Sequence, residues 1–376
     1  MKQWHNLILA AGFALGLAIP LIGSLGHVSP NRTINEYRHL AKFPRLRYDP
    51  DVWDFYFNNV ETYFEDNFSL RESLIAFGLA SKRLWFPAEL GPNVLLGRDG
   101  WLYLKRDRKA DLVDDCLGLA KISESELKDA QSRLESQRDW LAARGIKYLF
   151  VIAPDKAAIY PEHLPVWLKA AATNRTDQYV EYMHLHSTVD VLDLRPVLRQ
   201  AREKIPVYYF TDPHWNVPGA LVATETILAE LARQMPGLAP LDQKALALQW
   251  VPGTGGDLAR QAAEPDLVES NRYVLLPTPN LPKLEFSVAE TNAVGLAQIL
   301  DLPVPEFNTI TTTNLRGTGR VVLFGDSFSV DLQPFLAYDF GKVVGYRKPF
   351  DKRSVNEVRP VVVIDEVVER NLCLEQ

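Results

Sequence analysis

The sequence predicts an α/β protein built on a doubly wound, mostly parallel sheet, with an N-terminal membrane anchor and a helical arm ahead of it. Three observations lead there. Apolar runs of strand length recur beyond residue 121: Lys147–Ala153 (KYLFVIA), Val189–Leu194, Val321–Phe324, Lys342–Tyr346 and Val361–Asp365. Runs apolar at every position belong to strands covered on both faces, as in parallel sheets. Helical patterns alternate with several of them, the order expected of βαβ units. The chain has 376 residues, 47% hydrophobic and 23% charged, enough to bury a core in one large or two modest domains.

Lys2 and His5 precede Leu7–Leu25, an apolar run broken only by small residues and Pro20. A positive start followed by a long apolar stretch reads as an export signal. Its length approaches a bilayer span, and no clear cleavage site follows, so residues 1–30 are expected to stay as an inner-membrane anchor, the alternative being a signal peptide removed on export. The rest then lies in the periplasm. Residues 31–120 are expected to form an arm and a hairpin, and 121–376 the catalytic domain.

Asn35–Leu46 is a basic, aromatic linker. Trp53–Phe86 has apolar residues at three- and four-residue spacings, which predicts a helical arm covering the main domain. Arg98-Asp99-Gly100 separates two apolar runs in Asn93–Leu104, a hairpin signal. Ser123 and Ser125 offer an N-cap for a helix over Leu127–Leu141, which Gly145 ends. Val207–Phe210 reads as a short strand, followed by TDPHWN (Thr211–Asn216) and a helix over Pro218–Arg233. Gln234–Ser287 is mostly irregular, rich in Pro and Gly around Gly253–Leu258, with one strand expected at Arg272–Leu276.

Two stretches carry chemistry. After the apolar run Val321–Phe324 come Gly325, Asp326 and Ser327, which puts a serine at the carboxyl edge of the sheet, where open α/β sheets hold ligands. Serine needs a base to become a nucleophile, and histidine needs a carboxylate to fix its tautomer. In TDPHWN, Asp212 and His214 are two apart and project to one side of an extended loop stiffened by Pro213. The other six histidines lack such a setting. The plainer alternative is that His214 caps the following helix and Trp215 fills core. The net charge of −6 leaves no basic footprint for nucleic acid. Cys116 and Cys373 form no metal-binding cluster, and sequence leaves open whether they pair.

GDSFS (Gly325–Ser329) together with TDPHWN resembles the SGNH-hydrolase-like domain of the alginate O-acetyltransferase family (AlgJ/AlgX type). The order is that family's permuted one, the Asp/His block preceding the Gly-Asp-Ser block. Asn35–Leu46, Phe64–Arg71, Leu96–Leu104, Ala153–Glu162 and Gly256-Asp257-Leu258 are similar too, so the likeness runs from residue 35 onward. It implies that Ser327 accepts an acetyl group and passes it to a polysaccharide hydroxyl. His214 would be the base and Asp212 its orienter. The Ser327 amide and, less directly, Gly256 would serve as oxyanion donors, and Arg347 would contact substrate. It also implies a donor supplied by a membrane O-acyltransferase and no cofactor or metal. The family's larger members append a carbohydrate-binding module, which this chain, ending soon after its last apolar strand run, is expected to lack. A carbohydrate acetylesterase would use the same residues, and a non-catalytic glycan-binding or scaffold subunit of the secretion machinery would use none.

Overall fold

The computed structural model describes residues 42–44, 53–67, 90–107, 110–238, 246–264, 266–276, 282–289 and 309–373. The expected anchor Leu7–Leu25 lies outside the described residues, as do most of the linker and the arm beyond Asn67. Within the arm, α1 spans Trp53–Asn67. Among the described residues no helix is long and apolar enough to cross a membrane.

The hairpin pairs β1 (Val94–Leu96) with β2 (Leu102–Leu104) in antiparallel register, Val94 opposite Leu104. Its turn needs left-handed backbone at Asp99 and Gly100, which Asp tolerates and Gly takes freely. Leu95, Trp101 and Tyr103 join the main core, so the hairpin packs on the α/β body. The start of α2 (Glu124–Ala142) is fixed by a capping box in which Ser123 and Glu126 satisfy each other's backbone donors. Then follow β3 (Lys147–Ala153), α3 (Arg175–His186), β4 (Val191–Asp193), α4 (Arg195–Ala201) and α5 (Val217–Gln234). The irregular region contains β5 (Ala247–Trp250), α6 (Asp257–Gln261) and β6 (Tyr273–Leu276), with β5 and β6 forming a separate antiparallel ribbon. The chain continues through β7 (Leu284–Ala289), β8 (Thr309–Asn314), β9 (Thr318–Phe324), α7 (Ser329–Asp339), β10 (Phe340–Tyr346), α8 (Lys352–Val358) and β11 (Val362–Val368).

The seven-stranded sheet has the order β4-β3-β11-β9-β10-β8-β7. The first five strands are parallel, and β8 and β7 add an antiparallel edge. Alternate residues feed two cores. Leu149, Val151, Val321 and Leu323 pack with Ile227 and Leu231 of α5 and Leu336 of α7. Tyr148, Phe150, Val322 and Phe324 pack with Leu134 of α2, Met183 of α3 and Val355 of α8. Both faces are covered, which is why these strands read as unbroken apolar runs.

Val207–Phe210 is not a sheet strand. Only Tyr208 makes a β-bridge, to Trp215, and the segment's hydrogen bonds close locally, Tyr209 N to His214 O and Asn216 N to Val207 O. Val207 and Tyr208 are apolar because they are buried, not because they pair with a neighbouring strand. The expectation of one β-loop-α unit here therefore fails. Strands β7 and β8 were not anticipated, and Cys116 and Cys373 are both free thiols.

Candidate active site

Ser327 is delivered by β9, the central strand, flanked in parallel by β11 and β10. Val321–Phe324 are fully buried, so the strand end is fixed by packing. Gly325 then makes the approach that a side chain would block: a Cβ there would meet Glu366 Oε2 at 2.5 Å and Ser329 Cβ at 2.7 Å. Asp326 ties the turn down, its carboxylate accepting from Phe328 N at 2.9 Å and from Val368 N of β11 at 2.9 Å. The turn leads straight into α7, leaving Ser327 half-buried above Phe328.

The second loop enters at the start of α5, where Asn216 caps the helix through Gly219 N at 3.1 Å. A Cβ on Gly219 would sit 2.1 Å from Val207 O, so α5 starts hard against the incoming chain. The loop carries His214 to Ser327: Nε2 lies 2.8 Å from Oγ. On the other side of the ring, Nδ1 lies 2.6 Å from Asp212 Oδ1. Phe328 packs against the imidazole, ring centroids 4.9 Å apart, and meets Trp215 edge-on at 5.0 Å. Asp212 also accepts from His214 N at 3.0 Å and Asp257 N at 2.8 Å. The three side chains thus form one hydrogen-bonded line, although only one of the two loops follows a strand of the sheet.

Charge follows from this geometry. Burial alone would raise the Asp212 carboxyl, but the His214 charge and hydrogen bond, with two backbone donors, hold it at about 2. Burial alone would lower His214. The Asp212 charge and bond outweigh it, Asp257 and Asp331 add to them, and the imidazole sits above its ordinary value. Asp212, His214 and Asp257 bring one potential metal-ligand atom each within 4.8 Å of the others. His214 Nδ1 is already bonded to Asp212, however, and Asp257 is paired with Arg260.

Gly256 does not fit the donor role expected of it. Its amide donates to Thr211 Oγ1 at 2.8 Å. Its small size matters instead, because a Cβ there would lie 2.6 Å from Asp212 Cβ and 2.8 Å from Oδ2. Arg347 is exposed one residue beyond Tyr346, which pairs with Phe324, so it stands at the same sheet edge as the serine turn. Two buried charges escaped the sequence reading, Lys156 and Glu269, which hold the backbone of the loop before His214. Lys156 had a signal, standing in Pro154-Asp155-Lys156 at the carboxyl end of a buried strand. Glu269, in the irregular stretch, had none.

Residues 94–293, more than half of the chain, match the family described as SGNH hydrolase-like domain, acetyltransferase AlgX. That span includes Asp212 and His214 but ends before Ser327. A probable alginate O-acetylase AlgJ of Pseudomonas syringae pv. tomato is 27% identical over 184 residues, 47% of this chain and 42% of that protein. One from Pseudomonas aeruginosa is 29% identical over 140 residues, 37% of this chain and 33% of that protein. The matched stretch thus spans less than half the length of these curated relatives. Among solved structures, Bacillus cereus PatB1 is similar with a TM-score of 0.56 at 15% identity, covering 74% of this chain and 96% of that one, a likeness of fold. The chain belongs to the family of SGNH hydrolase-like domains of the AlgX acetyltransferase type.

Proposed function

We propose that this chain is an O-acetyltransferase that carries an acetyl group on Ser327 and delivers it to a hydroxyl of an exported polysaccharide. The observation behind this reading is the continuous line from Asp212 through His214 to Ser327, at 2.6 and 2.8 Å. His214 Nε2 takes the serine proton as Oγ attacks the acetyl carbonyl, and returns it to the departing oxygen as the tetrahedral intermediate collapses. An acetyl-serine ester remains. A sugar hydroxyl then gives its proton to His214 and attacks the ester, and the proton passes back to Ser327 Oγ. Asp212 holds the imidazole with Nδ1–H towards itself and stabilises the imidazolium formed in each step. The Ser327 amide, at the entry to α7, is the oxyanion donor in this scheme, since donors fixed ahead of the reaction stabilise the developing charge most. Arg347, at the same sheet edge, is proposed as a substrate contact.

The apolar segment Leu7–Leu25 and its positive flank support a periplasmic, membrane-anchored placement. There a membrane O-acyltransferase would supply the acetyl group. The proposal is tested with a chromogenic acetyl ester. The chain should release the leaving group, and Ser327→Ala should release none above background while keeping the circular dichroism of the parent. Adding an oligosaccharide acceptor should yield acetylated sugar by mass spectrometry. Acetate alone would mark an esterase. Glycan binding with release no greater than that of Ser327→Ala would mark a scaffold.

A further inference from the structure

The loop that presents Asp212 and His214 lacks the strand ladder that would normally fix it, so its peptide groups must find partners elsewhere. They find two buried charges. The Lys156 ammonium lies 2.8 Å from Asp212 O, 3.2 Å from Tyr209 O and 3.3 Å from Phe210 O. Three donors thus meet three carbonyls, with the faces of Trp101 and Tyr103 at 5.6 and 5.3 Å as the other walls. From the opposite direction Glu269 accepts from Phe210 N and Thr211 N, both at 2.8 Å, and from Thr211 Oγ1 at 2.6 Å. Both side chains are only 3% exposed. Phe210 makes the arrangement plain: its N–H points to the anion and its carbonyl to the cation.

We propose that Lys156 and Glu269 are positioning residues, a charged clamp that sets the stance of Asp212 and His214 for the acyl transfer inferred above. The inference rests on that reading of the site. Its reach extends past the loop backbone. Thr211, held by Glu269, accepts from Gly256 N through Oγ1 and from Leu258 N and Ala259 N through its carbonyl. This brings in the Asp257 amide that bonds Asp212 Oδ2. Moving the clamp therefore moves both the Asp212 carboxylate and one of its donors. Two buried charges that make no direct ion pair among the described residues are costly to desolvate, and apolar residues of similar volume would avoid that cost. The charged groups facing Lys156 are Asp212 and Glu269. Burial outweighs their attraction and brings the ammonium down to about 7, so the clamp loosens on the alkaline side.

The test uses the full chain, the chromogenic acetyl ester and Ser327→Ala as the blank. Lys156→Met and Glu269→Gln should each lower kcat by about a hundredfold with KM nearly unchanged, the loss expected when reacting groups are displaced by about 1 Å. Lys156→Arg, whose charge persists at high pH, should recover part of kcat and lose the alkaline fall of the parent. Lys156→Met with kcat within threefold of the parent overturns the clamp. Should Lys156→Met not fold, an unchanged kcat in Glu269→Gln overturns it instead. If the parent itself matches Ser327→Ala, the catalytic reading has failed. The clamp is then judged by NMR titration of the His214 imidazole, which Glu269→Gln must shift to sustain it and leave unmoved to refute it.

Discussion

Replacing Asp212 with asparagine separates the electrostatic part of the site from its shape. The carboxylate accepts from His214 Nδ1, His214 N and Asp257 N, all within 3.0 Å. An amide has one accepting oxygen. If that oxygen faces His214, the NH2 group meets the Asp257 N–H. If it faces Asp257, the NH2 group meets the ring nitrogen and enforces the tautomer that leaves Nε2 protonated, unable to take the Ser327 proton. The charge is lost in both cases. Two opposite charges centred ~4 Å apart attract by about 4 kcal/mol at an effective dielectric near 20. At about 1.4 kcal/mol per decade this is roughly a thousandfold in kcat. KM should change little, since the Asp212 carboxylate is taken up by His214 and the Asp257 amide. The pH profile moves as well. His214 must be neutral to act as base, and its raised value places the acid limb of the parent above the ordinary histidine value of about 6.5. Without the Asp212 charge, burial is opposed only by Asp257 and Asp331, so the limb should shift to lower pH. Single-turnover release from a chromogenic acetyl ester between about pH 5 and 9 reads both quantities. A loss smaller than tenfold, or an acid limb that stays in place, would refute the assignment of Asp212 as the partner that charges His214.

Two further substitutions probe the surroundings. Gly256→Ala places a methyl 2.6 Å from Asp212 Cβ, so it should cost about 1–3 kcal/mol of stability and lower kcat with it; thermal denaturation and the ester assay check both, and a Tm equal to the parent's removes the close-packing role. Glu366 is buried, one carboxylate oxygen has no hydrogen-bond partner among the described residues, and burial holds its pKa well above the ordinary value. In the unfolded chain it ionises near its ordinary value, so its burden on the fold is absent at low pH and grows as pH rises above that value. Glu366→Gln should therefore raise Tm at pH 7 and change it little at pH 4, and the reverse order in calorimetry would contradict this.

How much of this could be read from the sequence depended on where each residue finds its partners. Strands β3, β9, β10 and β11 were legible because both of their faces are buried, which forces apolar residues at every position. Strand β8 was not. Its residues, TITTTN, include four threonines and stand on an antiparallel edge, where the run of apolar side chains that marks the interior is absent. Val207–Phe210 misled in the opposite sense, since burial without ladder pairing leaves the same composition as a strand. At the site, Asp212, His214 and Ser327 could be nominated because their chemistry needs those residue types at two short motifs. Gly256 was nominated for the right place and the wrong reason: the glycine clears space for Asp212 while its amide is bonded to Thr211. Glu269 lies 55 residues beyond His214 in a stretch with no periodicity, and only the fold brings it to Thr211.

The two halves of the site are held by different physics. Ser327 stands at the end of the central strand, so its position is fixed by the same apolar packing that holds the whole sheet together. Weakening it means weakening the domain. His214 and Asp212 stand on a loop whose shape depends on polar groups: Asn216 at the helix cap, Glu269 on the amides, Lys156 on the carbonyls. Polar contacts are directional and sensitive to charge, whereas apolar packing is neither. Changes at residues 156 or 269 should therefore alter the distance between His214 and Ser327 long before they unfold the sheet. Changes to β9 should do the opposite, lowering stability while any folded molecule keeps the hydrogen-bonded line from Asp212 through His214 to Ser327.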